Sequence, residues 1–160
     1  MASDDISIRQ YRDSDIIEMH RLHGAFGDFI KGILPAELYR FDAPAPAGFE
    51  AWLASTQTQD KQVLVADAGK GRLAAYILGT IEVEPGQLLD RWGYVDDLFV
   101  EEDHRRHGLG GRLMVEIEAW FKSHGCAAVA VDSWLANPGA SAAYAAMGFI
   151  PDFTGYVREL

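Results

Sequence analysis

The chain has 160 residues, 49% of them hydrophobic, and 14 basic against 24 acidic side chains leave a net charge of −10. Residues 1–160 are enough for one domain with a sizeable core and too few for two. The acidity argues against general nucleic-acid binding, no apolar run approaches the ~20 residues of a membrane span, and Met1-Ala2-Ser3-Asp4-Asp5 lacks the basic and apolar regions of a signal peptide. A soluble, cytoplasmic protein is expected, and the single cysteine, Cys126, with no internal partner to oxidise with, fits a reducing compartment.

Ile6–Tyr11 alternates apolar and polar residues and predicts a half-buried strand. Asp13 or Ser14 can cap a helix whose apolar positions Ile16, Ile17, Met19, Leu22 and Phe26 carry it to about Phe29. Beyond Gly32, a stretch containing Pro35, Pro44 and Pro46 reads as a shaped loop with a short helix at Ala47–Ala54. Gln62–Asp67 and Arg72–Glu84 predict two strands joined by the turn Ala68-Gly69-Lys70-Gly71, and a connection through Trp92 leads to a strand over Tyr94–Val100. In the helix predicted over 108–124, Leu109, Leu113, Ile117 and Phe121 share a face, and Gly125 is a natural stop. A strand at Ala127–Ser133, a loop at Trp134–Gly139, a helix at Ala140–Met147 and short strands at Phe149–Pro151 and Gly155–Arg158 complete the chain. This order predicts an α/β fold, a mixed central sheet with flanking helices in which helix 108–124 crosses between neighbouring parallel strands.

The segment Arg105-Arg106-His107-Gly108-Leu109-Gly110-Gly111 stands where a strand hands over to a helix. The first turn of a helix has unpaired N–H groups and the positive end of the macrodipole, so an anion binds well there. Glycines at 108, 110 and 111 let a ligand approach the bare backbone, and Arg105 and Arg106 offer charge-assisted contacts to phosphate. A dinucleotide fingerprint needs Gly-x-Gly-x-x-Gly early in a βαβ unit and a Walker loop needs Gly-Lys-Ser/Thr; neither is present.

The Arg-x-x-Gly-x-Gly pattern after Leu98-Phe99-Val100 resembles the acetyl-coenzyme A pyrophosphate loop of the GNAT N-acetyltransferases. Downstream, Ala127–Ser133, Asn137, Ala140, Ala143-Tyr144 and Gly148-Phe149 are similar to that family's second signature in order and spacing, so the resemblance covers about Tyr94 to Phe149. It implies the acyl-CoA N-acyltransferase architecture, with two parallel strands splayed to hold the pantetheine arm and the acceptor entering from the opposite side. Acetyl-CoA is the implied cosubstrate, and a primary amine, on a small molecule or a protein, would attack it directly in a ternary complex. The backbone of Leu98, Phe99 and Val100 would pair with pantetheine, the amide near Leu98 would polarise the thioester carbonyl, and the amides of Arg106, His107, Gly108, Leu109, Gly110 and Gly111, flanked by Arg105, would hold the pyrophosphate. Asn137 would bond the pantetheine. Tyr144 matches the helix tyrosine that protonates the departing thiolate, and an ordinary phenol pKa near 10 keeps it protonated at neutral pH.

The base candidates are Asp96 and Asp97. Strict alternation sends them to opposite faces, so at most one reaches the cleft unless a bulge intervenes. Asp96 stands where some relatives carry an acid, and Tyr94 where others carry a glutamate. Binding the substrate ammonium, pairing with an arginine, or proton transfer through ordered water are the alternatives. A homodimer matches family habit.

Plainer readings stand beside these. Leu98–Val100 can be an ordinary central strand, the glycine loop a solvated turn, Tyr144 a packing residue and Asn137-Pro138 a turn. Cys126 reads as a small buried hydrophobe, and His20/His23 and His104/His107 as surface histidines rather than metal ligands. Phe26, Phe29, Tyr39, Phe49, Trp52 and Trp92 either line an acceptor pocket or complete the core. The rival functions are an acyl-CoA-binding regulatory module without catalysis and a nucleotide-binding protein.

Overall fold

The computed structural model describes residues 6–35, 45–156 and 158. In chain order it comprises β1 (Ser7–Gln10), a tight turn at Asp13–Asp15, α1 (Ile16–Ile33), α2 (Ala45–Thr56), β2 (Lys61–Asp67), β3 (Leu73–Val83), β4 (Arg91–Val100), α3 (Leu109–Ser123), β5 (Ala128–Val131) and α4 (Pro138–Ala146). The strands form one sheet in the order β1-β2-β3-β4-β5, antiparallel through β4 and parallel between β4 and β5. The α3 helix makes the crossover that a parallel pair requires.

The glycines of α1 do not end it. The helix runs on through Gly32 to Ile33, where the Leu34 amide still bonds the Ile30 carbonyl, and Pro35 forbids another helical turn at the residue before it. Between β2 and β3, Gly69, Lys70 and Gly71 all take left-handed backbone angles, as a tight hairpin of this composition needs.

Burial on both faces explains the near-continuous apolar run of β3. On one face Met19 and Leu22 of α1 and Phe49 of α2 pack against Val63, Val65, Leu73, Tyr76, Leu78 and Phe99. On the other, Leu113, Met114, Ile117 and Phe121 of α3 pack against Leu64, Ala66, Ile77, Ile81 and Val95. The α3 helix lies close to the strands because two sheet positions lack a Cβ: one added at Gly79 would fall 2.6 Å from Phe121, and one at Gly93 only 2.3 Å from the same ring. These glycines are where the sheet admits the helix.

Two expectations need correction. The strand read over Ala127–Ser133 is only Ala128–Val131, the part that pairs with β4. The short strands expected at Phe149–Pro151 and Gly155–Arg158 do not form among the described residues: 149–156 carry no ladder, and Ile150, Phe153 and Tyr156 are exposed. Pro151 can donate no backbone hydrogen bond, which weakens strand pairing there. Val157 and the last two residues lie outside the described set, as do Tyr39 and Pro44. Among the described residues no helix is long and apolar enough to cross a membrane.

Candidate active site

The parallel pair forks. β5 tracks β4 from Trp92↔Ala128 to Val95↔Val131 and stops, while β4 continues to Val100. Residues 96–100 therefore have a strand neighbour on the β3 side only, and the gap beside them is open to an extended ligand. At the fork the Tyr94 hydroxyl donates to Asp132, which holds the two strands together where they part; burial first, and then Asp132, keep the phenol above its ordinary pKa.

The start of α3 lies against this open stretch. A Cβ on Gly110 would sit 3.8 Å from Val100 and 4.0 Å from Leu98, and one on Gly111 would sit 4.0 Å from Met147 just after α4. Gly108 is the residue before the helix, at φ +75°, and no side chain caps the first turn. Arg106 is also left-handed, at φ 63°. Uncapped amides, a dipole end and a glycine-bare approach beside an open strand suit an extended ligand with an anionic end.

The two arginines separate in role. The Arg105 Nε donates to the Val100 carbonyl at 2.8 Å, and its guanidinium lies 5.3 Å from the Phe29 ring centroid and 5.6 Å from that of Phe99. It braces the end of β4 toward α1. Arg106 and His107 are exposed on the loop. Asn137 caps α4, its Oδ1 accepting from the Ala140 amide at 3.2 Å, so one end of its side chain serves the helix.

A bulge decides the geometry of the acidic pair. The β3–β4 register steps from Leu78↔Asp97 to Gly79↔Val95, leaving Asp96 unopposed. Asp96 and Asp97 consequently share one face. Asp96 accepts from the Thr80 hydroxyl, and Asp97 accepts from the Tyr76 hydroxyl at 3.4 Å and the Trp52 indole at 3.2 Å. Tyr76 and Thr80, four residues apart on β3, lie on the same side. Alternation resumes beyond the bulge, with Leu98 against the α3 side and Phe99 in the α1 side. The bulge thus removes the limit of one aspartate in the cleft.

Burial first, and then the charge of Asp96, push Asp97 up to about 6, against the pull of its two hydrogen bonds. Burial and the charge of Asp97 raise the Tyr144 phenol, so it is a proton donor at neutral pH. Tyr144 also meets Phe149 edge-on at 5.8 Å. The two groups interact electrostatically, one ready to accept a proton and the other holding one.

Of the aromatic candidates, Phe49 is buried in the core and Phe26 and Trp52 pack against it, while Phe29 lies under Arg105. His20 and His23 lie with tilted rings against Phe49, and His23 also against Trp52. The Trp92 indole donates to the Leu89 carbonyl at 2.7 Å. Sequence reasoning missed Tyr76, Thr80 and Asp132 and the polar role of Trp52. The strong β3 run marks Tyr76 and Thr80 as strand residues of one face, but nothing local aims them at Asp96 or Asp97.

Fold and site together define an α/β protein with a forked parallel strand pair, an anion-receptive helix start beside the fork and a carboxylate–phenol pair near it. The chain belongs to the acetyltransferase (GNAT) family, whose model matches residues 31–149. It is 32% identical over 95 residues to an aminoglycoside N(6')-acetyltransferase type 1 of Acinetobacter genomosp. 13, covering 58% of this chain and 64% of that one. A Serratia marcescens protein of the same description is 32% identical over 56 residues, covering 35% of this chain and 38% of its own. The chain thus spans between a third and two thirds of the length of these relatives. Among solved structures, a mutant of the Bacillus halodurans protein BH1408 superposes with a TM-score of 0.80 at 23% identity, covering 96% of this chain and 99% of that one. AAC(6')-Iy in complex with the bisubstrate analog CoA-S-monomethyl-acetylneamine superposes with a TM-score of 0.74 at 16% identity, covering 97% and 98%.

Proposed function

We propose that this protein is a cytoplasmic acetyl-CoA-dependent N-acetyltransferase that moves an acetyl group to a primary amine of a small, cationic molecule, with Asp97 as general base and Tyr144 as general acid. The observation that carries the reading is the bulge in β4, which puts a half-buried carboxylate, at about 6, beside an open strand end and in electrostatic reach of a protonated phenol. Only a free amine attacks a thioester, so the reaction needs a group that is ionised at neutral pH yet basic enough to take the ammonium proton. Asp97 meets both requirements, whereas Asp96, exposed and bonded to Thr80, serves better to attract the ammonium.

The forked stretch Leu98–Val100 fits an extended amide-bearing arm, and the amides of 106–111 fit a pyrophosphate. The amide near Leu98 would face the thioester carbonyl, where a donor stabilises the developing oxyanion. Asn137, with Oδ1 committed to α4, keeps its amide nitrogen for the arm. Relatives described as aminoglycoside N(6')-acetyltransferases and the net charge of −10 both support a polycationic acceptor.

Calorimetric titration with acetyl-CoA, ATP and NAD, followed by release of free thiol with neamine and a panel of amines, tests the reading. Micromolar acetyl-CoA binding, weaker ATP and NAD binding and amine-dependent thiol release are expected. Absence of acetyl-CoA binding overturns the cosubstrate, and binding without thiol release for any amine favours the regulatory module.

A further inference from the structure

Asp97 is held by two donors that come from different elements and converge on one oxygen. The Trp52 Nε1 of α2 and the Tyr76 hydroxyl of β3 both reach Oδ2, and among the described residues no hydrogen bond reaches Oδ1. An indole N–H can only donate. Tyr76 is fully buried, and burial together with the charge of Asp97 holds its phenol well above the ordinary range, so it too stays a donor. A proton arriving on Asp97 is therefore directed to Oδ1, because a proton on Oδ2 would confront the indole N–H.

We propose that Trp52 and Tyr76 are positioning residues that clamp Oδ2 of Asp97 and reserve Oδ1 for proton transfer, so that the protonation of the base depends on the seating of α2 as well as on the strand that carries it. The inference rests on Asp97 being the base. The groups around the carboxylate leave these two donors as the means of tuning it. Asp96 on β4 is a like charge, Tyr144 on α4 is a neutral phenol, and His23 on α1, behind Trp52, has its imidazole pKa lowered by burial and by His20. The indole itself is fixed by its neighbours: His23 at 4.4 Å, Phe49 stacked at 5.8 Å and Tyr76 edge-on at 5.8 Å. Phenylalanine at 76 keeps the ring and deletes only the hydroxyl, while at 52 it deletes the N–H together with part of the indole's packing, so a clamp effect is the one that both variants share.

The test compares Trp52→Phe, Tyr76→Phe and Asp97→Asn by two readouts: titration of the Asp97 carboxyl by NMR with isotope-labelled aspartate, and kcat against pH with neamine and acetyl-CoA. Both donors favour the ionised carboxylate, so losing either raises the pH at which Asp97 titrates. Each Phe variant is expected to move the carboxyl titration and the acid limb of kcat upward together. Turnover near pH 6 falls about threefold to tenfold and returns toward wild type above about pH 8. An unmoved carboxyl titration, or a turnover loss equal at every pH, overturns the inference, since packing alone would act that way. Wild-type turnover in Asp97→Asn overturns the base assignment instead, and the carboxyl titration still reports whether the clamp exists.

Discussion

Asp15 and Asp67 share the guanidinium of Arg9, whereas the side chains that hydrogen-bond Asp96 and Asp97 among the described residues are a hydroxyl, a phenol and an indole. Arg9 bonds Asp15 through two nitrogens at 2.7 and 2.8 Å and Asp67 through Nε at 2.9 Å, tying β1, the turn before α1 and the end of β2. Its hydrogen bond holds the Asp15 carboxyl below the usual carboxylate range, and the Gly69 amide and Arg9 do the same for Asp67. At the other pair, neutral donors only partly offset burial, and Asp97 rises. A hydrogen-bonded guanidinium, not residue type, separates the carboxyls held below their ordinary range from the one pushed above it.

The largest expected effect tests the second pair. Replacing Asp97 with Asn should lower kcat by about a hundredfold or more, the range of a lost general base, and abolish the acid limb near pH 6. Steady-state kinetics across pH measures it, and wild-type turnover would break the contrast at once. Breaking the first pair should act on stability instead. Arg9→Met leaves the buried Asp15 without its counter-charge and is expected to cost about 2–4 kcal/mol in denaturant unfolding, with acetyl-CoA affinity unchanged. Because the Asp15 pKa is lowered on folding, its stabilisation is present above the unfolded carboxylate value and lost as pH falls through the folded one. The gap between this variant and wild type should therefore begin to narrow only below about pH 4, as pH approaches the lowered folded value.

Tyr144→Phe sharpens the role of the phenol: a turnover loss of about tenfold with unchanged acetyl-CoA affinity by calorimetry identifies the acid, while weakened binding points to packing against Phe149. The smallest effect is again at Asp97. A carboxyl raised on folding stabilises below its unfolded pKa and loses that contribution as pH rises through about 6. Asp97→Asn should thus be more stable than wild type by roughly 1 kcal/mol at pH 8, the figure being discounted for solvent screening, with the difference gone near pH 4. Thermal melts at the two pH values check the sign, and a destabilised variant at pH 8 would count against the raised carboxyl.

Local rules reached the elements whose causes are local. The α3 helix follows from the four-residue spacing of Leu109, Leu113, Ile117 and Phe121, the glycine loop from its own composition, and the β2–β3 hairpin from Gly69-Lys70-Gly71. They erred where pairing decides. Phe149–Pro151 has strand-like composition but finds no ladder among the described residues, and the helix at 47–54 extends at both ends to Ala45–Thr56. Gly79 and Gly93 look unremarkable in the chain; their reason is the Phe121 ring that occupies the space a Cβ would need.

The chain by itself determined the α/β order, the anion-receptive start of α3 and the short set of acid and base candidates, because periodicity, backbone-permissive glycines and residue chemistry act over a few positions. Only the tertiary structure decided that both carboxyls share a face and that burial raises each of them, Asp97 to about 6. The faces of Asp96 and Asp97 depend on the one-residue step against Leu78 and Gly79, and the donors that hold Asp97 come from positions 52 and 76. Strand register and desolvation are properties of surfaces brought together by folding, and no local stretch of the sequence encodes them alone.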